Sequence, residues 1–442
     1  MSVKRTAKPV AVNPLTIGPS LGGVLAVQGC YRAIALLHGA QGCSAFSKSL
    51  LTRHFREPIA VQTSALQEMD VIFDADRNLE EALNTVIAKH RPDLIAVIGT
   101  ELTDVSGTDY TACVKKYIRE RAPRDCLIVP VTLPDFGGGS LETGYSAVVE
   151  GIIDAVIQGH SGKPPGKPIT GQVNLLPGPC LTPGDVMELR EILGDFGFEV
   201  ITLPDLSTSL SGHLLTGFSP LTRGGVPLEA LKQMLRSRYT IAMGASMERP
   251  ARRLQHAAGI PYKVIPGMHG LAAADELVSF LQQLSGIPVP LRYRWQRENL
   301  LDSMLDAHFH YAGVSAVVAL EPDHALSMAA WLGEMGVKIK ALVAPCESPL
   351  LKEAEQEVWI GDLDDAETLG RGADLWISNG HGRKGARRMK SAFMAAGFPV
   401  VDELGSYMSV SVGYRGAMDL VNRVGNLLIR REEDRHEDRF RQ

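Results

Sequence analysis

Along the chain, short apolar runs alternate with longer stretches in which apolar positions recur every three to four residues, the pattern of parallel strands joined by crossover helices. Leu94–Gly99 and Leu127–Thr132 are such runs, and Tyr110–Arg121 between them has helical spacing. Residues 142–158 predict a longer helix, after which G-H-S-G-K-P-P-G-K-P-I-T-G at 159–171 sustains neither period and marks a domain boundary. A second set predicts strands at 172–176, 199–203, 240–243 and 262–265, with helices at 184–196, 247–258 and 271–284. The break at 286–290 leads into a long helix at 294–311. Strands at 315–320, 338–344, 374–378 and 398–401 then form a third set, with a helix at 383–396 before the last strand. The expectation is an α/β protein of three doubly wound, Rossmann-like domains with mostly parallel sheets, over residues 1–165, 166–290 and 291–442. A final helix near 418–430 is expected, and its packing back on the first domain is left open by the pattern. The mixed charges of 430–442 read as a solvated tail.

Composition narrows the class. The 442 residues are 45% hydrophobic, 21% charged and 6% aromatic, with a formal net charge of −5. That balance excludes disorder and argues against a nucleic-acid-binding surface. No apolar stretch reaches the about 18 residues needed to span a bilayer, and no secretory h-region follows the basic residues 1–12, so a cytoplasmic location and no membrane association are expected. The six cysteines, Cys30, Cys43, Cys113, Cys126, Cys180 and Cys346, contain no C-x-x-C pair, which argues against a disulfide framework or a zinc ribbon.

The segment H-G-A-Q-G-C at 38–43 is the sharpest chemical signal. Its glycines allow close backbone approach, and Cys43 is a candidate soft-metal ligand. A buried structural thiol, or a catalytic thiol with His38 as base, remain as alternatives. An iron–sulfur cube takes about four thiolates, so one well-placed cysteine implies a cluster shared with another chain. The second signal is G-H-G-R-K-G at 380–385, followed by Asp402, which matches a dinucleotide fingerprint and would make the chain a nucleotide-binding oxidoreductase. Arg383, Lys384, Arg387, Arg388 and Lys390 add a basic run, read as a solvated helix face or an anion path. Asp104 and Asp135 are candidate acid–base groups, with turn and cap duties as the alternative. Residues 162–167 lack phosphate-loop spacing.

Asn13-Pro14, Leu21-Gly22-Gly23, the segment 38–43 and R-H-F-R-E-P at 53–58 together resemble the amino-terminal domain of the nitrogenase component 1 family. L-T-P-G-D at 181–185, P-D-L at 204–206, G-H-L at 212–214, residues 304–309 and G-Y-R-G at 413–416 extend the resemblance over nearly the whole chain. Within that family the chain is most similar to subunits that build the iron-molybdenum cofactor. A subunit of light-independent protochlorophyllide reductase is the nearer rival, which the motifs after Gly171 disfavour.

The catalytic β-subunits of the family supply three cysteines to the P-cluster. The matching positions here are Gly18, Cys43 and a site near Glu101, so one thiolate remains. The resemblance therefore implies a [4Fe-4S] cluster shared with NifE, with Cys43 as this chain's single metal ligand and His38, Gly39, Gln41 and Gly42 as the loop around it. Cys30 is a less favoured substitute. It further implies an α2β2 assembly with NifE, an iron-sulfur precursor received from NifB and held mainly in NifE, and insertion of molybdenum and homocitrate with NifH. Transfer of the finished iron-molybdenum cofactor to apo-nitrogenase component 1 would follow. Such a chain is a scaffold rather than a stand-alone catalyst.

Overall fold

A computed structural model of the chain describes residues 3–8, 11–107, 109–121, 125–133, 138–160, 166–212, 217 and 219–440. Asp135, His213–Leu214 and most of 162–167 lie outside the described residues, as does the side chain of Asp104. The described strands are β1 (Val3–Arg5), β2 (Ala33–His38), β3 (Val61–Thr63), β4 (Leu94–Gly99), β5 (Leu127–Val131), β6 (Ile169–Pro177), β7 (Glu199–Thr202), β8 (Ser237–Met243), β9 (Tyr262–Ile265), β10 (Ser315–Ala319), β11 (Lys338–Ala344), β12 (Val358–Ile360), β13 (Leu375–Ser378) and β14 (Ala392–Ala395). They form three sheets, in the orders β3-β2-β4-β5, β7-β6-β8-β9 and β1-β12-β11-β10-β13-β14. The registered pairs run parallel, and helices connect the successive strands. The α/β class and parallel sheets expected from the sequence are found.

The chain divides into two compact units. One comprises Ile17–Val186 and Glu199–Val264; the other comprises Met1–Thr16, Met187–Phe198 and Ile265–Gln442. In the first unit, β2 and β4 are buried at every position. Ile34, Leu36, Ile95 and Val97 share one face of that sheet with Leu79, Leu83, Val114 and Tyr117 from the helices Ala75–His90 and Tyr110–Arg121. In the other unit, Val317, Val343 and Trp376 pack with Leu363, Ala366 and Ala386.

Three expectations are corrected. The helix expected over 383–396 ends at Arg388, because Lys390 takes a left-handed φ of 56° and A-F-M-A then pairs with β13 as β14. Residues 398–401 are not a strand: Pro399 has no amide to donate, its carbonyl accepts from Gly380 N at 2.9 Å, and Phe398 O accepts from Asn379 Nδ2 at 3.3 Å. The final helix spans Gly413–Phe440, so the charged carboxy-terminal stretch continues it rather than fraying. Arg431 anchors it, with Nη1 2.8 Å from Asp374 Oδ1 and Nε donating to Lys390 O at 3.0 Å.

The pattern of residues 3–5 predicts no element, yet they form β1 at the edge of the third sheet, with Val3 opposite Val358 and Arg5 opposite Ile360. Lys8 then reaches Asp362 at 2.6 Å and Asp365 at 3.0 Å, and Val12 N donates to Asp362 Oδ2 at 2.7 Å. Burial alone would raise the Asp362 pKa, but the bonds from Lys8 and from the Asp365 and Val12 amides hold it down to about 2.

Candidate metal centre

The first sheet places Cys43. In β3-β2-β4-β5 the chain leaves β2 toward β3 and later returns to the other side of β2 as β4, so the strand order reverses between β2 and β4. Ligands of open α/β sheets lie outside the carboxyl ends of the strands at such a point. His38 is paired with Gly99 there, and both chains turn outward in the next residues. The two turns touch closely: a Cβ on Gly39 would lie 2.1 Å from Thr100 Oγ1, and Thr100 Oγ1 donates to His38 O at 3.3 Å. Gly39 O also accepts from Leu66 N at 2.9 Å and from Thr63 Oγ1 at 3.1 Å. Gly39 therefore fastens the ends of three adjacent strands.

From this knot the helix Gln41–Phe55 starts, with Ala40 as an extended N-cap that makes no side-chain cap bond. Cys43 is in its first turn, exposed, and its amide donates to Ala40 O at 3.2 Å. Gln41 and Gly42 are exposed beside it, and a Cβ on Gly42 would meet nothing within 4 Å. The end of a helix that carries partial positive charge thus faces any anionic group bound at the thiolate.

The two positions that resemble lost ligands share this setting. Glu101 is exposed and opens the helix Glu101–Ser106, two residues beyond β4. Gly18 is exposed and is the N-cap of Pro19–Gln28, which packs on β2 and β4 and runs back toward the start of β2. Among the described residues, no three His, Cys, Asp or Glu side chains converge as a metal site.

His38 and Cys30 are placed elsewhere by the fold. His38 is fully buried as the last residue of β2, with Nδ1 2.9 Å from Ser64 Oγ and its ring edge-on to Tyr110 at 5.9 Å. Burial pushes its pKa down to about 4, so the ring is neutral near pH 7. It supports the sheet edge and does not line the exposed loop. Cys30 is 1% exposed, just before β2, and burial first, with nearby Asp205, pushes its thiol up to about 12. A six-residue strand, roughly 20 Å long, separates it from the end that carries Cys43. The substitute ligand is therefore buried at the opposite end of β2 from the exposed loop of Cys43. The helix Gln41–Phe55 also shows that 38–43 is only partly a turn, since it begins as strand and ends as helix.

The fingerprint at 380–385 is spent on packing. A Cβ on Gly382 would fall 2.0 Å from Ser378 Oγ, which accepts from Trp376 Nε1 at 2.9 Å and donates to Asn379 O at 3.0 Å. A Cβ on Gly385 would fall 2.9 Å from the Trp376 ring. Asp402, which ends no strand, binds Arg383 together with Glu403 rather than standing ready for a ribose. Arg388 is held by Glu367 at 2.8 Å, so two of the five basic side chains of the run, Arg383 and Arg388, are paired with carboxylates. Gly382→Ala should lower unfolding stability by about 2 kcal/mol through overpacking, read from the urea midpoint. A neutral effect would show that the Ser378 bridge yields without cost and would reopen this loop as a ligand cradle.

Comparison with known proteins agrees with the fold. The family model described as Nitrogenase component 1 type Oxidoreductase matches residues 19–429. The nitrogenase iron-molybdenum cofactor biosynthesis protein NifN of Bradyrhizobium diazoefficiens is 38% identical over 440 residues, covering 98% of this chain and 93% of that one. NifN of Rippkaea orientalis is 40% identical, covering 96% and 95%, and NifN of Klebsiella pneumoniae is 36% identical, covering 99% and 95%. A solved structure titled "Nitrogenase Cp1 at pH 6.5" superposes with a TM-score of 0.89 at 27% identity, covering 97% of this chain and 95% of that one. With family motifs, parallel three-sheet fold and near full-length relatives in agreement, the chain belongs to the nitrogenase component 1 family.

Proposed function

We propose that this chain is a NifN-type scaffold subunit for building the nitrogenase iron-molybdenum cofactor. It pairs with NifE in an α2β2 complex and contributes Cys43 as its single ligand to a [4Fe-4S] cluster between the two subunits. The complex takes the NifB-derived precursor as cargo, held mainly in NifE, supports molybdenum and homocitrate insertion with NifH, and passes the product to apo-nitrogenase component 1. Full-length similarity to NifN relatives supports the assembly role.

The observation that carries the ligand reading is the exposed thiol of Cys43 at the sheet's switch point; the resemblance puts the two further thiolates at Gly18 and near Glu101, where this chain has no cysteine. The residues present fit such a group. A sulfur donor suits iron, Gly42 leaves the approach open, and the knot at Gly39 fixes the loop. A bound cluster supplies one-electron chemistry. This chain's own part is to hold one corner, orient it through a helix start, and present that corner to a neighbour.

The test is anaerobic co-purification of the pair, with iron and sulfide counted per heterodimer. Cys43→Ala should lower bound iron by about four atoms and remove the cluster EPR signal, with the melting temperature of the cluster-free chain unchanged because the side chain is exposed. Iron and EPR equal to the parent would strike Cys43 from the ligand set.

A further inference from the structure

Two hydrogen-bond donors in the unit that contains Ile265–Gln442 have no acceptor. The first is fixed by Ser327, whose Oγ receives Met268 N at 2.8 Å and His269 N at 3.1 Å and lies 2.8 Å from His269 Nδ1. A hydroxyl oxygen offers two lone pairs and one proton. The two amides fill the lone pairs, so the Ser327 proton goes to Nδ1 and the ring hydrogen of His269 must sit on Nε2. His269 is 3% exposed, and its ring stacks on His324 at 5.2 Å. Burial first, then His324 and Arg423, keeps the ring neutral near pH 7. Among the described residues nothing accepts from its Nε2.

The second donor is Arg423, on the helix Gly413–Phe440, whose charge is felt at His269. Its Nε is buried without a partner, and the guanidinium makes no ion pair or hydrogen bond among the described residues. Arg383, Arg388, Arg415 and Arg431 of the same unit are all paired with carboxylates. Arg423 is only half-buried, so its head is reachable from solvent. The surroundings suit a ligand. In the third sheet the strand order reverses between β10 and β13, and ligands of open α/β sheets lie outside the carboxyl ends of the strands at such a point. His324 stands there, in the first turn of the helix Pro322–Glu334 that follows β10. Gly397, just past β14, closes on it: a Cβ would lie 3.0 Å from Leu320 Cδ2 and 3.4 Å from His324 Nδ1.

We propose that His269 Nε2 and the Arg423 guanidinium form a binding site for a small oxyanion, a carboxylate or a phosphate. It is separate from Cys43 and stands whether or not that residue holds a cluster. An oxyanion supplies what both donors lack, an acceptor for the imidazole N–H and a counter-charge whose oxygens match the planar fork of arginine. A metal ion finds no ligand at His269, because the lone pair of Nδ1 is taken by Ser327 and Nε2 carries the hydrogen. An apolar ligand would leave both donors unsatisfied.

The test is equilibrium dialysis of the full chain against inorganic phosphate and, separately, citrate, in chloride of matched ionic strength. One saturable site per chain is expected for at least one probe. Arg423→Met should raise the dissociation constant about tenfold or more, as loss of a charged hydrogen bond does. His269→Asn should weaken binding less, since asparagine keeps an acceptor for Ser327 but places no N–H where Nε2 was. Urea midpoints without anion report that each variant is folded. Binding of citrate alone makes the ligand a carboxylate, of phosphate alone a phosphoryl group, and competition between them a site for either. No saturable binding of either probe, or binding that Arg423→Met leaves unchanged, overturns the proposal.

Discussion

Gly22→Val or Gly144→Val is expected to yield no folded protein. The helices Pro19–Gln28 and Leu141–Gly159 meet backbone on backbone in their first turns: a Cβ at 22 would lie 1.9 Å from Leu141 O, and one at 144 would lie 1.8 Å from Pro19 O. Peptide carbonyls cannot swing aside as a side-chain tip can, so the helices themselves must part. Gly23 adds to the constraint, since its Cβ would touch Val148 and Ile98 at 3.0 and 3.1 Å. Alanine at 22 should already cost about 3 kcal/mol or more, a large share of the roughly 5–15 kcal/mol that holds a domain together. Urea unfolding of Gly22→Ala provides the measurement. A midpoint equal to the parent's would mean the two helix starts can separate freely, and the close crossing would lose its structural meaning.

The second large effect is acid sensitivity. His38 and His324 are buried, and burial pushes each pKa down to about 4. His269 is lowered well below its ordinary value, first by burial and then by His324 and Arg423; its ring stacks on His324 at 5.2 Å, and its Nδ1 lies 2.8 Å from Ser327 Oγ. A folded-state pKa below the unfolded 6.5 means that the unfolded chain binds more protons in between, so stability is present above pH 6.5 and lost as pH falls toward 4. Each of the two quantified rings represents up to about 3 kcal/mol. Asp362, held near 2, acts in a separate window: its contribution is present above 3.8 and lost only as pH falls toward 2. Glu188 and Glu334, raised mainly by burial, work against the histidines just above pH 4.5. The comparison is therefore the difference between parent and His324→Gln in urea midpoint from pH 7 to pH 4. The parent should lose more stability over that range; parallel curves would remove His324 from the account.

The legibility of the chain followed the range of the interactions. The strand 94–99 and the helix 110–121 were read at their observed bounds because burial on both faces writes an unbroken apolar run, and a one-sided helix writes its period, within a dozen residues. The strand A-F-M-A at 392–395 was hidden because four apolar residues extend a helical spacing as readily as they begin a strand, and the left-handed turn at Lys390 that decides between them has no glycine to announce it. The Leu21-Gly22-Gly23 motif was visible, but its cause was not, since the atoms that demand glycine belong to distant residues, Leu141 for Gly22 and Val148 and Ile98 for Gly23. At the candidate site the chemistry of Cys43 was legible from its type and flanking glycines. Its distance from Cys30 was not, because thirteen residues of sequence conceal a complete strand running between them. The bond between His269 and Ser327 carried no signal at all: the two belong to different elements, and only the fold brings one to the other.

The pairing of β1 with β12 sets an order of events during synthesis. Residues 3–5 must wait for their partner strand, because residues 358–360 emerge more than 350 residues after them, about 20 to 70 s later at usual translation speeds. Throughout that wait the strand is an unpaired edge, the kind of segment on which nascent chains stick to one another. Lys4 and Arg5 keep it charged and solvated until Glu357 and Glu347 arrive to neutralise them. The same two residues thus act first as gatekeepers and later as clasps, which makes their replacement by apolar residues a hazard to yield before it is one to the finished molecule.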